Sequence, residues 1–231
     1  ITGDHFAELF TSRGPNGELL FLHHALNSIV VALLTTVVGV ALSCTAAYAL
    51  SRFRFRGKAW VSLVLLLTQT FPLVMVIPPI FRIMSQLGLT DNLYGLIVIY
   101  TAFNIAFATF LMQSFFDGVP KDLEEAAMID GCTRVMALRR IILPLTLPGM
   151  GATVAFVFTA AWSELLFALM LINSDDQKTF SVGLLTFIGK FAVDWGQMMA
   201  ASVMALIPVC IFFMFLQRYL VTGLTAGAVK G

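Results

Sequence analysis

Five runs of mostly apolar residues divide this chain: Ala25–Leu50, Ala59–Phe81, Leu93–Phe116, Pro148–Ile172 and Met198–Leu220. Each is about as long as the roughly 20 helical residues needed to cross the hydrocarbon core of a bilayer. Lipid offers an open backbone no hydrogen bonds, so each run is expected to be a helix. Composition points the same way. Of the 231 residues 59% are hydrophobic and 12% charged, with mean hydropathy +0.91, whereas a soluble domain carries about 25% charged residues. The expected fold class is an all-α integral membrane protein with five predicted transmembrane helices spread over residues 25–220.

The connections alternate in charge. Arg52, Arg54, Arg56, Lys58, Lys121, Arg134, Arg139, Arg140, Arg218 and Lys230 account for ten of the 14 basic residues and fall on one set of segments. The excess marks that set as cytoplasmic. Residues 1–24, the stretch RIMSQLGLTDN and Asn173–Gln197 are then external, and the tail 221–231 is internal. Residues 1–24 are polar and lack the form of a signal peptide. Five spans with an external start fit a six-span chain whose first helix lies upstream; a five-span chain with an external N-terminus is the alternative. A net charge of +1 with no dense basic run gives no argument for nucleic acid. Cys44, Cys132 and Cys210 lie too far apart for a metal site or a disulfide framework. His5, His23 and His24 have no carboxylates at ligand spacing and read as external or interfacial residues.

Pro72, Pro78 and Pro79 interrupt the second run and Pro208 the last. Each removes a backbone donor, which reads either as a pathway-lining hinge or as ordinary curvature.

One polar segment, Asp117–Gly149, is trapped between two spans. Pro120 blocks an earlier helix start, and Asp122 three residues before Glu125 has the form of a capping box. Gly131 suits a left-handed helix stop. A helix over Asp122–Asp130 is expected, with Leu123, Ala126 and Ala127 on one side and Glu124 and Asp130 elsewhere. The paired alanines would give a flat face for close approach by another protein. Beyond it, Val135, Leu138, Ile141 and Ile142 have helical spacing.

The pattern Glu125-Ala126-Ala127, Gly131, Ile141, Leu143 and Pro144 resembles the EAA loop of the membrane subunits of binding-protein-dependent ABC importers. The resemblance extends over nearly the whole chain. HHALNSIVVALLTTVVGVALSCTAAYALSRFRFRGK is similar to the second span of sugar-importing permeases, and QRYLVTGLTAGAVKG to the C-terminus of the maltose-type subunit of the carbohydrate-uptake group. Cys132 departs from the alanine usual at its position.

The resemblance implies a type I importer transmembrane domain and a non-catalytic permease. Residues 117–148 would form the coupling loop, with Glu124, Glu125, Ala126, Ala127, Asp130, Gly131, Leu143 and Pro144 as its coupling residues. The tail, with Gly223, Gly227 and Lys230, would reach flexibly between the ATPase subunits. The implied partners are a second homologous permease, an ATP-binding subunit dimer and an external solute-binding protein touching residues 173–197. Cofactors are expected only on the partners, as ATP and Mg. The implied location is the bacterial or archaeal cell membrane, and the implied cargo a di- or oligosaccharide of the maltose, maltodextrin or trehalose kind.

Glu164 is an acid inside an expected span, where ionisable residues are costly and functional by default. With Trp162 and Ser163 it is the candidate sugar contact; a helix–helix hydrogen bond is the bland alternative. Phe187, Phe191 and Trp195 recur every four residues and suggest a short amphipathic helix on the membrane. Rival functions are an ATP-independent secondary transporter or channel, an importer of glycerol-phosphate or another small solute, and a membrane enzyme. No HExxH, G-x-S-x-G or phosphate-cradle pattern supports the last.

Overall fold

The computed structural model describes residues 3–11, 19–189 and 193–228, with backbone alone at 218 and 220–228. Helix dominates. The order is α1 Asp4–Thr11, α2 Leu20–Arg52, α3 Lys58–Thr70, α4 Leu73–Gln86, α5 Leu93–Asp117, α6 Lys121–Ile129 and α7 Arg134–Ala137. A π-turn at Leu138–Ile142 follows, then α8 Leu143–Leu145, α9 Leu147–Ser163, α10 Leu166–Leu171, α11 Phe180–Leu184 and α12 Trp195–Ala228. Among the described residues there is no strand; an isolated bridge pairs Ile188 with Val193.

Three of these helices are each long and apolar enough to span a membrane: Leu20–Arg52, Leu93–Asp117 and, within α12, Trp195–Gln217. Two bent pairs pass only in combination, α3 with α4 and Arg134–Leu145 with Leu147–Ser163, which brings the total to as many as five. Large apolar side chains stay exposed along α2 and α12, Leu33, Val37, Leu206 and Phe215 among them. On a soluble protein a patch of that size would mark a binding site or an aggregation hazard; on a spanning helix it faces lipid or another membrane chain.

The second run is broken where its prolines were expected to interrupt it, the break after Ser163 was not expected, and each has a local cause. Pro72 ends the first half of the second run and forms the N-cap of α4. Pro78 and Pro79 lie inside α4, where they take away the N–H groups that the carbonyls of Val74 and Met75 would have used. The run expected over Pro148–Ile172 stops at Ser163 and restarts at Leu166. Near Thr146 the chain turns by 81° into α9, and the Thr146 hydroxyl donates to the Ile142 carbonyl at 2.9 Å.

Packing divides the chain into two units. One comprises Ile1–Thr35, Phe71–Tyr100 and Phe158–Phe212, the other Thr36–Thr70, Thr101–Val157 and Phe213–Gly231. The core of the first gathers Leu9, Phe180, Ala200 and Ala201, with Phe6, Phe21 and Phe187 against them. Phe21 meets Phe180 edge-on at 5.3 Å, and Gln197 donates to Glu8 at 2.8 Å, tying α12 to α1. The core of the second unit is Ala47, Tyr48, Met112, Phe116 and Ile142, beside a smaller cluster of Val40, Ala108 and Val157. Helices in lipid gain little from leaving water and associate by close packing, so small residues mark their contacts. Ala47 and Ala108 are fully buried. Gly149 is one such case, because a Cβ built there would collide with the Phe115 ring.

Two expectations need correction. Among the described residues, no amphipathic helix is found between Phe187 and Trp195. Phe187 ends a 3₁₀ turn packed on the Leu9 cluster, the Ile188–Val193 bridge reverses the chain, and Trp195 opens α12; Phe191 lies outside the described residues. The tail is not a flexible strand either, since α12 continues through Gly223 and Gly227 to Ala228. A lone glycine costs a helix only about 1 kcal/mol, and Ala and Leu neighbours sustain the ladder. Lys230 lies outside the described residues.

Gly149→Ala is expected to push Phe115 from its seat and lower stability by about 1–3 kcal/mol. Thermal unfolding of the detergent-solubilised chain would register this as a lower midpoint, and an unchanged midpoint would refute the close contact.

Candidate functional site

The trapped polar segment folds into α6, and its capping follows from its residues. Pro120 is the N-cap, with no side-chain cap bond, so the expected capping box is not made; the helix starts at Lys121 and Asp122 sits inside its first turn. Acids there still favour the positive end of the helix dipole. At the other end Asp130 is the C-cap and Gly131 has φ +90°. The Gly131 N–H donates to the Met128 carbonyl at 3.1 Å and the Cys132 N–H to the Ala127 carbonyl at 2.9 Å. This is the paired 5→2 and 6→1 closure of a Schellman stop, and its left-handed residue is why glycine stands at 131.

The faces of α6 differ from the expected ones. Glu124 and Ala127 are buried, at 4% and 6% exposure. Leu123, Glu125, Ala126, Ile129 and Asp130 are exposed, Ile129 at 86%. Ala127 therefore does not share a surface with Leu123 and Ala126. It pairs with Glu124 one turn earlier on the inner face, and the outer face is a mixed apolar and acidic knob.

Glu124 is buried because α2 supplies its partners. Arg52 Nε lies 3.1 Å from Glu124 Oε2, both side chains almost wholly covered. The Tyr48 hydroxyl donates to Glu124 Oε1. Arg52 also donates through Nη2 to the Val119 carbonyl at 3.0 Å, and Ser51 donates to Asp117 at 2.5 Å. Removing one partner of a buried ion pair costs about 3–5 kcal/mol, because the other charge is left stranded. Tyr48 is held edge-on by Phe53 and Phe116. Over the Phe53 ring sits the Arg134 guanidinium, 5.1 Å from the centroid, a cation–π contact. The basic run after α2 is thus more than a membrane anchor. Arg52 and Phe53 clasp the polar segment, while Arg54 and Arg56 are exposed. Leu143 packs on the Tyr48–Phe116 core and Pro144 is exposed in α8.

Sequence reading missed Tyr48, Ser51 and Arg52. Their i, i+3, i+4 spacing put a polar stripe at the end of an apolar run, which was the available signal. Their partners stand 66 to 76 residues away, beyond any local pattern.

The second candidate group occupies the break between α9 and α10. Glu164 accepts from the N–H groups of Phe167 at 3.0 Å and Ala168 at 3.2 Å, capping α10, and it also interacts with the buried Tyr100 hydroxyl. The Trp162 indole is stacked with Phe158 and Phe180 and is 8% exposed. Ser163 is exposed, its hydroxyl donating to the Thr159 carbonyl at 2.8 Å. Within this trio the carboxylate and the indole are already engaged.

The loop after α10 is fastened from two sides. Asp91, at φ +54°, accepts from the N–H groups of Asn173 and Ser174, each at 2.9 Å, and from the Ser174 hydroxyl, while its own N–H donates to the Leu171 carbonyl at 2.7 Å. The Ser174 hydroxyl first, then the two N–H groups, hold the Asp91 carboxyl below its usual range. On the other side, His23 and His24 meet the carbonyls of Asp176 and Asp175 at 2.7 and 2.9 Å. Asn27 donates to the carbonyls of Asp176 and Lys178, and the Ser28 hydroxyl accepts from Phe180 N–H at 2.7 Å. The Asn-Ser pair at the start of the first span is therefore a loop clamp. Lys178 bonds to the Asp175 carboxylate and holds it below its usual range.

The chain thus combines broken spans, a capped polar helix clasped to the end of one span, and a fastened loop. Residues 38–225 match the family described as the binding-protein-dependent transport system inner membrane component, and the chain belongs to it. It is an ABC transporter permease, a transport subunit embedded in the membrane. It is 40% identical, over 89% of this chain and 72% of that one, to the sulfoquinovosyl glycerol transport system permease protein SmoH of Agrobacterium fabrum. It is 39% identical, over 89% of this chain and 74% of that one, to the trehalose/maltose transport system permease protein MalG of Thermococcus litoralis. Its fold is that of a chain in a bacterial ABC transporter involved in import of the acidic polysaccharide alginate, with TM-score 0.80 and 24% identity over 95% of this chain and 80% of that one.

Asp91→Ala is expected to lower stability at pH 7 by about 1–3 kcal/mol, from the lost charge-assisted bonds and the positive φ. Because the folded state lowers the Asp91 pKa, its contribution is complete above the ordinary aspartate value of about 3.9 and disappears as pH falls through the folded-state value. Thermal unfolding of both proteins from pH 7 downward would show a constant gap that narrows below about pH 4.

Proposed function

We propose that this permease is one of two homologous membrane subunits of a sugar importer. Solute arrives on an external binding protein, and a separate dimer of ATP-binding subunits binds ATP and Mg and hydrolyses the nucleotide. The observation that carries the proposal is the outer face of α6, where Leu123, Glu125, Ala126 and Ile129 stand exposed on a helix whose inner face is locked by Glu124 and Ala127. An isoleucine 86% exposed on a polar segment is a ready anchor for an apolar pocket. The capped ends and the buried inner face keep α6 rigid under load. Gly131 sets where the knob ends, and Asp130 and Cys132 border it. Leu143 and Pro144 take part by fixing where the loop returns to the membrane. The C-terminal stretch with Gly223, Gly227 and Lys230 reaches the same partner.

We assign α6 and the C-terminus to the cytoplasmic side of a bacterial or archaeal cell membrane. The basic residues support this. So does the packing, since the stretches expected outside fall in the first unit and those expected inside in the second. The clamped loop Asn173–Gln197 then meets the binding protein. The cargo is a di- or oligosaccharide of the trehalose or maltose kind, in keeping with the name of the Thermococcus litoralis relative. The solute passes Ser163, at the bend that Trp162 and Glu164 shape.

Two measurements test this. Co-purification with the ATP-binding subunit should survive in wild type and fail in Glu125→Lys, Ile129→Glu and Gly131→Trp; retention in all three sinks the docking face. Proteoliposomes of the assembled importer should take up trehalose or maltose with ATP, and uptake of glycerol 3-phosphate in place of either sugar would overturn the cargo.

A further inference from the structure

The clasp beneath α6 has a feature that docking alone does not require. Its charged members are buried: the side chains of Arg52 and Glu124 are 3% and 6% exposed. Glu124 meets two groups from α2: the Tyr48 hydroxyl, which donates to Oε1, and the Arg52 guanidinium, ion-paired with Oε2 at 3.1 Å. The same guanidinium reaches past Glu124 to the Val119 carbonyl at 3.0 Å, in the turn that joins α5 to α6. One residue before Arg52, Ser51 donates to Asp117, the last residue of α5, at 2.5 Å. The final turn of α2 therefore holds the end of α5, the connecting turn and the first turn of α6 at once. The hold is directional. Hydrogen bonds and a guanidinium fork resist sliding, whereas apolar side chains packed on one another slip. Behind it, Tyr48 is wedged between Phe53 and Phe116, so its hydroxyl cannot swing away from Glu124 without disturbing the core.

We propose that the Tyr48–Arg52–Glu124 triad is the joint through which a push on α6 is delivered to α2, making Tyr48 and Arg52 positioning residues for transport although neither lies on the outer face of α6. The inference rests on the docking reading of α6. It adds that ATP-driven displacement reaches the pathway through the end of α2, and that the route is a buried, charge-assisted contact. A solely stabilising brace would affect assembly, stability and transport together. A joint separates ATP hydrolysis from transport while assembly persists.

The test uses the whole importer in proteoliposomes, with both permeases, the ATP-binding subunits, the binding protein and trehalose as the probe sugar, after wild-type uptake has been shown. The variants are Tyr48→Phe, which deletes one hydroxyl, Arg52→Met, which removes the charge at similar length, and Arg52→Lys, which keeps the charge without the fork that reaches Val119. The readout is trehalose taken up per ATP hydrolysed, alongside co-purification and thermal midpoint. Expected is intact assembly and continued ATP hydrolysis, with the ratio falling about tenfold in Arg52→Met, less in Tyr48→Phe, and partly restored in Arg52→Lys. A wild-type ratio in Arg52→Met or Tyr48→Phe, with the variant assembled, overturns the joint and leaves the docking face standing. Loss of the ATP-binding subunits from these variants also overturns it, since the clasp would then serve only to present α6. If Arg52→Met does not fold, Tyr48→Phe decides by the same ratio. Failure of the docking reading itself looks different: outer-face variants such as Ile129→Glu keep the ATP-binding subunit bound.

Discussion

A helix that stops inside or beside a membrane leaves backbone groups that lipid cannot satisfy, and much of this structure is an answer to that constraint. Carboxylates supply the answer at two places. Glu164 covers the N–H groups that open α10, and Asp91 gathers those that follow its end. Between them a six-residue helix is held at both ends, so a run long enough to be one span can be broken there without leaving those groups unmet. Glycine and threonine do the same work where no acid is available. Gly131 closes α6 by its left-handed backbone, and Thr146 turns the chain into α9 by bonding back to Ile142.

The same constraint separates acids that bind inward from those free to meet a partner. Glu124 and Glu125 are neighbours in sequence and opposites in place. A helix turns by 100° per residue, so the first faces α2 and is matched by Arg52 and Tyr48, while the second faces out. A contact helix needs both. The inner acid makes the helix part of the permease, and the outer face makes it available to another chain. Burying an ion pair brings little net stability, but breaking it costs much, so the pair specifies a position more than it adds energy.

The Asn173–Lys178 loop follows a similar logic with weaker contacts. It has almost no apolar core of its own, and its backbone carbonyls are taken up by His23, His24 and Asn27 from the start of α2. Loops of this length keep one shape only when their backbone groups find fixed partners, and here α2 provides them.

Much of this was legible in the chain itself. Apolar runs about 20 residues long dictate spanning helices because hydrocarbon allows no other backbone. The trapped polar segment, its proline start and its glycine stop announced α6 to within a residue at each end, since those signals are local. Side-chain partnership was not local. Nothing near Glu124 reveals that it is buried, because its partners come from a helix some seventy residues earlier. Ala127 looked like a surface residue beside Ala126 until packing turned it inward. Glu164 stood out as a candidate sugar contact or helix hydrogen bond because its charge sits in an apolar run, and that it covers the first N–H groups of α10 appears only with the break at Leu165. Sequence alone determined that the chain has runs able to span a membrane and a short polar helix between two of them, as those follow from short-range rules of solvation and helix ending. Which faces meet, and which charges are matched within the chain, was decided by tertiary structure, because a buried charge is tolerated only where distant helices bring its partner.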